Sequence, residues 1–113
     1  MLAHSTTAIV ARNDVWTGAS ASEPYECGWA REAIVWIRAM GAPAGDLRGV
    51  QARVQISPDG IRWFDEGGAL ALPAAEGEAT FARVREFGNW LRVAAELPKG
   101  ASLKVLVTIT AKG

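Results

Sequence analysis

The chain is 113 residues long, which suits one domain and is too short for two independent cores. Half of its residues are hydrophobic and 21% are charged, a balance that excludes a disordered or fibrous chain. Twelve Lys and Arg cancel twelve Asp and Glu, so net charge supports neither a nucleic-acid partner nor an anionic membrane surface.

The segment Met1 to Thr7 has neither the basic region nor the apolar stretch of a signal peptide, so the expected location is the cytoplasm. Residues 1–5 read as an N-terminal arm, Thr6 to Ala11 as a strand, and Arg12-Asn13-Asp14 as a turn. From Tyr25 to Met40 the chain carries Trp29, Ile34, Val35, Trp36 and Ile37, a β-branched and aromatic content that favours a strand. Short apolar runs do not separate strand from helix, so both readings of 30–40 stand. The longest of these runs, Ala33 to Ile37, is far too short to cross a bilayer. Gly41 to Asp46 is a loop.

Periodicity is clearer beyond residue 50. Val50, Ala52, Val54 and Ile56 alternate with polar residues, the pattern of a half-buried strand. Ser57-Pro58-Asp59-Gly60 then turns the chain back through Ile61 to Phe64, and Gly67-Gly68 is expected to end that return. After a loop over 72–77, a second meander is expected. Thr80 to Phe87 is a strand, Gly88-Asn89 a two-residue hairpin, Leu91 to Leu97 the return, and Pro98-Lys99-Gly100 the next turn. Leu103, Val105, Val107 and Ile109 alternate with Lys104, Leu106, Thr108 and Thr110 in the last strand. Strands at this spacing predict an all-β, antiparallel, jelly-roll-like β-sandwich in one domain spanning residues 1–113.

Little chemistry is on offer. His4 is the one histidine, so any triad or histidine acid/base step would have to use it, and with Cys27 as the one cysteine the chain can supply neither a closed zinc site nor an internal disulfide. A hydrogen-bonded or solvated His4 and a buried, inert Cys27 are the expected roles. Asp59, Asp65 and Glu66 surround a hairpin but lack the alternating carboxylates of a calcium loop. Asp65 and Glu66 are adjacent, so on a strand they point to opposite faces and cannot work as a hydrolytic pair. No phosphate-binding glycine loop opens a helix. The expectation is no catalytic, cofactor-binding or metal-ligating residue, and hence no enzyme.

The positive signal is aromatic and cationic. Five tryptophans are many for this length, and core packing is the first expectation for Trp36 and Trp63. Trp90 differs, because an inward Leu91, Val93, Ala95 and Leu97 put it outside beside Arg92 and Glu96. The same parity sends Leu106 outward. Ile34 and Trp36 oppose Val35 and Ile37, which makes that segment apolar on both faces. A sandwich strand needs only one apolar face, so the other should meet another element or chain. Nine of twelve cations are Arg, the type that tolerates interfaces, although a GC-rich genome produces the same bias. The interface candidates are therefore Trp90, Arg92, Leu106, Ile34, Trp36, Trp29 and Tyr25. The expected partner is protein, either further copies of the chain or the subunits of a capsid or other assembly. The alternative is a carbohydrate-binding module with Trp90, Trp29 and Tyr25 as a stacking platform.

Val54-Gln55-Ile56-Ser57-Pro58-Asp59-Gly60-Ile61-Arg62-Trp63 resembles a hairpin of discoidin-like and jelly-roll modules, a strand followed by a Ser-x-Asp-Gly turn and a tryptophan. Phe87-Gly88-Asn89-Trp90-Leu91-Arg92-Val93 is similar to their later strand. The layout over residues 48 to 111 is also similar to small structural proteins of tailed bacteriophage virions, including capsid decoration proteins. That resemblance implies a non-enzymatic subunit that self-associates or decorates a phage particle. It carries over no binding residue, because its motifs are turn chemistry.

Overall fold

Residues 32–39 alternate strictly: Ala33, Val35, Ile37 and Ala39 are buried, whereas Glu32, Ile34, Trp36 and Arg38 face away. A period of two is strand geometry, so the helical alternative for this segment is excluded. In a computed structural model that describes residues 4–113, the chain forms nine strands. They are β1 (Ser5–Trp16), β2 (Ala19–Ala21), β3 (Tyr25–Glu26), β4 (Glu32–Ala39), β5 (Gln51–Ser57), β6 (Phe64–Ala71), β7 (Ala79–Arg85), β8 (Trp90–Glu96) and β9 (Leu103–Lys112).

The strands make two antiparallel sheets. The first has the order β1-β9-β4-β7 and the second β2-β8-β5-β6, with β3 also paired to β8. The pairings nest: β1 with β9, β2 and β3 with β8, β4 with β7, and β5 with β6. The chain is thus one long antiparallel ribbon, closed at the β5–β6 connection and folded over so that β4 also meets β9 and β5 meets β8. The expected antiparallel β-sandwich is what forms.

Between the sheets lie Val35, Ile37, Val105, Val107 and Ile109 from the first and Val54, Leu91 and Val93 from the second, all with no accessible surface. Buried polar groups are few and partnered. Ser22 Oγ, for example, accepts the Val93 amide at 3.0 Å.

Several boundaries differ from the expectation, each for a local reason. Arg12-Asn13-Asp14 is no turn. β1 runs through it with register shifts at Ile9/Ala11 and Arg12/Asp14, and Asn13, at φ 56°, is a residue type that tolerates the left-handed conformation. Gly67-Gly68 does not end β6 either. It sits opposite the register shift between Arg53 and Gln55, and pairing resumes to Ala71. Gly88-Asn89 makes no hairpin, because β7 belongs to the first sheet and β8 to the second. The positive φ values of Glu86 and Gly88 turn the chain across the sandwich instead. The expected second meander is therefore three strands that change sheet at every connection. Of the expected arm, residues 1–3 lie outside the described residues and Ser5 already belongs to β1. His4 and Gly113 exchange backbone hydrogen bonds at 3.4 and 3.0 Å.

Candidate functional site

The outer face of the first sheet follows from its register. Residues directly opposite one another on neighbouring strands share a face, so the pairings lay out rows across β1, β9, β4 and β7. One row is Ile9, Thr108, Trp36 and Phe81. On one side of it lie Thr7, Thr110, Ile34 and Arg83, and on the other Arg12, Leu106, Arg38 and Ala79. Ile34, Trp36 and Leu106, reached separately by parity, are thus brought together on one surface. Trp36 and Phe81 are in ring contact with centroids 5.0 Å apart, and the Arg83 guanidinium lies 5.1 Å over the Phe81 ring. Phe81 and Ile9 keep 45% and 46% of their surface exposed, too much for side chains with an internal packing role.

Charge rims this apolar centre. A further row places Ser5, Lys112, Glu32 and Arg85 side by side, and Lys104 stands opposite Val15. Glu32 and Arg85 approach to 3.5 Å. With Ile34, Arg83 and Thr110 they line a depression of about 240 Å³. Phe81, Ile9, Arg12, Arg38, Arg83 and Arg85 were not among the expected interface residues. The signal for them was phase: Phe81-x-Arg83-x-Arg85 and Ile34-x-Trp36-x-Arg38 each put aromatic or aliphatic and cationic side chains on one side of a strand.

The remaining candidates go elsewhere. Trp90 and Arg92 face outward, but from the second sheet. There Arg92 Nε donates to Gln55 Oε1 at 2.8 Å, Gln55 Nε2 donates to Asp65 Oδ1 at 3.0 Å, and Arg53 reaches Asp65 at 3.3 Å. Arg92 also lies 4.5 Å over the Trp63 ring, and partial burial, then the nearby Arg53 charge, holds its pKa below the usual guanidinium value. The Trp90 ring packs against Gly60, where an added Cβ would come within 3.1 Å of it. Much of both side chains is therefore used within the domain. Tyr25 pairs with Leu91 and so shares its inner face, against the core, while Trp90 points the other way. Trp29 stands at the chain's ends, edge-on to His4 at a centroid distance of 4.5 Å and against Gly113. Tyr25 and Trp90 thus lie on opposite faces and form no common stacking platform. Trp36 and Trp63 are both partly exposed, contrary to the core role expected of them, and Trp16 is the tryptophan sealed in the core.

Cys27 has no accessible surface, and burial pushes its thiol up to about 11. Among the described residues no group of three His, Cys, Asp or Glu could hold a metal ion.

No protein-family model matches the chain. No curated protein sequence matches it. Among solved structures, the chain is similar to the crystal structure of the SPBc2 prophage-derived protein YomS, with a TM-score of 0.66 at 11% sequence identity, covering 100% of this chain and 96% of that one. The two share a fold along their whole length.

Proposed function

We propose that this chain is a non-enzymatic structural subunit of a bacteriophage-derived assembly, a jelly-roll domain that docks on its neighbours through the outer face of its first sheet. The observation that carries the reading is the apolar centre of Ile9, Trp36, Phe81, Leu106 and Ile34 on a sheet face with nothing packed over it among the described residues. Contiguous apolar surface of this kind marks interaction sites, and tryptophan with arginine is the pairing found in interface hot spots. The nested strand pairing supports the jelly-roll assignment. The shared fold of a prophage-derived protein supports the phage setting, whether in a virion or in the cytoplasm where virions are built. A sealed, protonated Cys27 and a His4 hydrogen-bonded to Thr6 at the chain end favour a role without catalysis.

The test is to collect the phage particles released by cells that carry this gene and fractionate them on a density gradient. Co-sedimentation of the wild-type chain, with loss of a folded Trp36→Glu variant from the particle fraction, is the expected result. A wild-type chain that stays entirely in the soluble fraction would overturn the proposal.

A further inference from the structure

Resting on that reading of the face as a docking surface, its charges restrict what it can receive. The face carries Arg12, Arg38, Arg83, Arg85, Lys104 and Lys112 against one carboxylate, Glu32. These cations fall into two groups. Arg83, Arg85 and Lys112 lie to one side of the Ile9, Thr108, Trp36 and Phe81 row, and Arg12, Arg38 and Lys104 lie to the other. The row between them is uncharged. Lys104 and Lys112 stand roughly 26 Å apart along β9, at about 3.3 Å per residue. The chain leaves most of this charge unanswered. Among the described residues, Arg85 is the one of the six in an ion pair, 3.5 Å from Glu32. The arginines that are paired with aspartates, Arg48, Arg53 and Arg62, all lie off this face.

Three kinds of occupant meet this pattern differently. A second copy laid face to face would oppose like charges. Nor does the other exposed apolar spot of the chain, Ile61 and Phe64, offer free carboxylates. There Asp59 is held by Arg62 at 3.2 Å, Asp65 by Arg53 at 3.3 Å, and Glu66 accepts the Gly68 amide at 3.0 Å. A nucleic-acid strand carries a charge at every nucleotide, so its phosphates would cross the uncharged row and the aliphatic Ile9, Ile34 and Leu106. A protein segment with an apolar middle and carboxylates towards both ends complements the face along its whole length. Its apolar side chains gain from burial against the centre, and its charges answer the two cation groups.

We infer that the outer face of the first sheet receives an acidic segment of a different protein of the particle. The apolar middle of that segment covers Ile9, Trp36, Phe81 and Leu106, and its Asp or Glu side chains meet the arginines and lysines on either side. The experiment uses gradient-purified particles and two double variants expressed in place of the wild-type chain, each checked for a wild-type circular dichroism spectrum. Arg38→Glu with Arg83→Glu reverses one charge in each cation group, and Arg38→Lys with Arg83→Lys keeps both. The reversed pair should be depleted from the particles roughly ten-fold or more, and the lysine pair should be retained. Carbodiimide treatment of wild-type particles, followed by mass spectrometry, should join Lys104 or Lys112 to an Asp or Glu of another particle protein. A reversed pair that sediments like wild type, while Trp36→Glu is lost, overturns the acidic partner and leaves the docking face standing. Cross-links only to another copy of the chain, or none to any carboxylate of another protein, also overturn it. Release of the chain by nuclease gives the face to nucleic acid and overturns it as well. A wild-type chain absent from the particles overturns this inference together with the reading beneath it.

Discussion

At the scale of single residues, the β5–β6 tip shows how little room the backbone leaves. Gly60 has φ 78° and lies under the Trp90 ring, so a methyl group there meets both backbone strain and an aromatic wall. Gly60→Ala is expected to lower stability by about 1–3 kcal/mol, measured by urea unfolding. Asp59 in the same turn is held below the ordinary carboxylate value of 3.8, chiefly because its charged form accepts the Arg62 and Ile61 amides. A carboxyl whose folded pKa is depressed contributes stability that is complete above its unfolded value and is lost as pH falls through the folded one. Wild-type protein should therefore exceed Asp59→Asn in stability at neutral pH, with the two curves converging in acid. Asp46, lowered by Arg48, titrates in the same direction in both proteins and cancels in that comparison.

At the scale of elements, β4 carries two opposite predictions on adjacent residues. Ile37 has no accessible surface, and Ile37→Ala should cost about 2–4 kcal/mol through lost burial and the cavity left behind. Trp36 points the other way and is partly exposed, with Phe81 as its ring partner, so Trp36→Thr should cost under about 1.5 kcal/mol. Urea unfolding of the two variants checks both numbers. If Trp36→Thr proves the more destabilising, the first sheet's outer face is structural and the docking assignment loses its basis.

At the scale of the molecule, the first strand pairs with the last. β1 against β9 joins Ser5 to Lys112, so the ribbon closes only once the whole chain is present. Non-local pairing of this kind makes folding slow, and refolding followed by tryptophan fluorescence should fall in the range of about milliseconds to seconds. Deleting residues before Asn13 would strip β9 of most of its edge partner, and such a truncation should show no cooperative unfolding transition.

The all-β class, the strand character of residues 51–57, 90–96 and 103–112, the outward Leu106 and the apolar character of both faces of residues 34–37 were legible in the sequence. Side-chain parity along an extended chain is a local property, set by the period of the pleat. Which strands become neighbours is not local. Nothing in Gly88-Asn89 distinguishes a hairpin turn from a crossing between sheets, and that one connection decides whether Phe81 and Trp90 share a surface. Neutral net charge likewise concealed a face with six cations and one carboxylate, because composition sums over the chain whereas binding reads one side of it. Alternation along each strand thus settled which residues turn away from the core. Only the tertiary pairing, by bringing β1, β9, β4 and β7 side by side, decided that those residues form one apolar, arginine-rimmed surface.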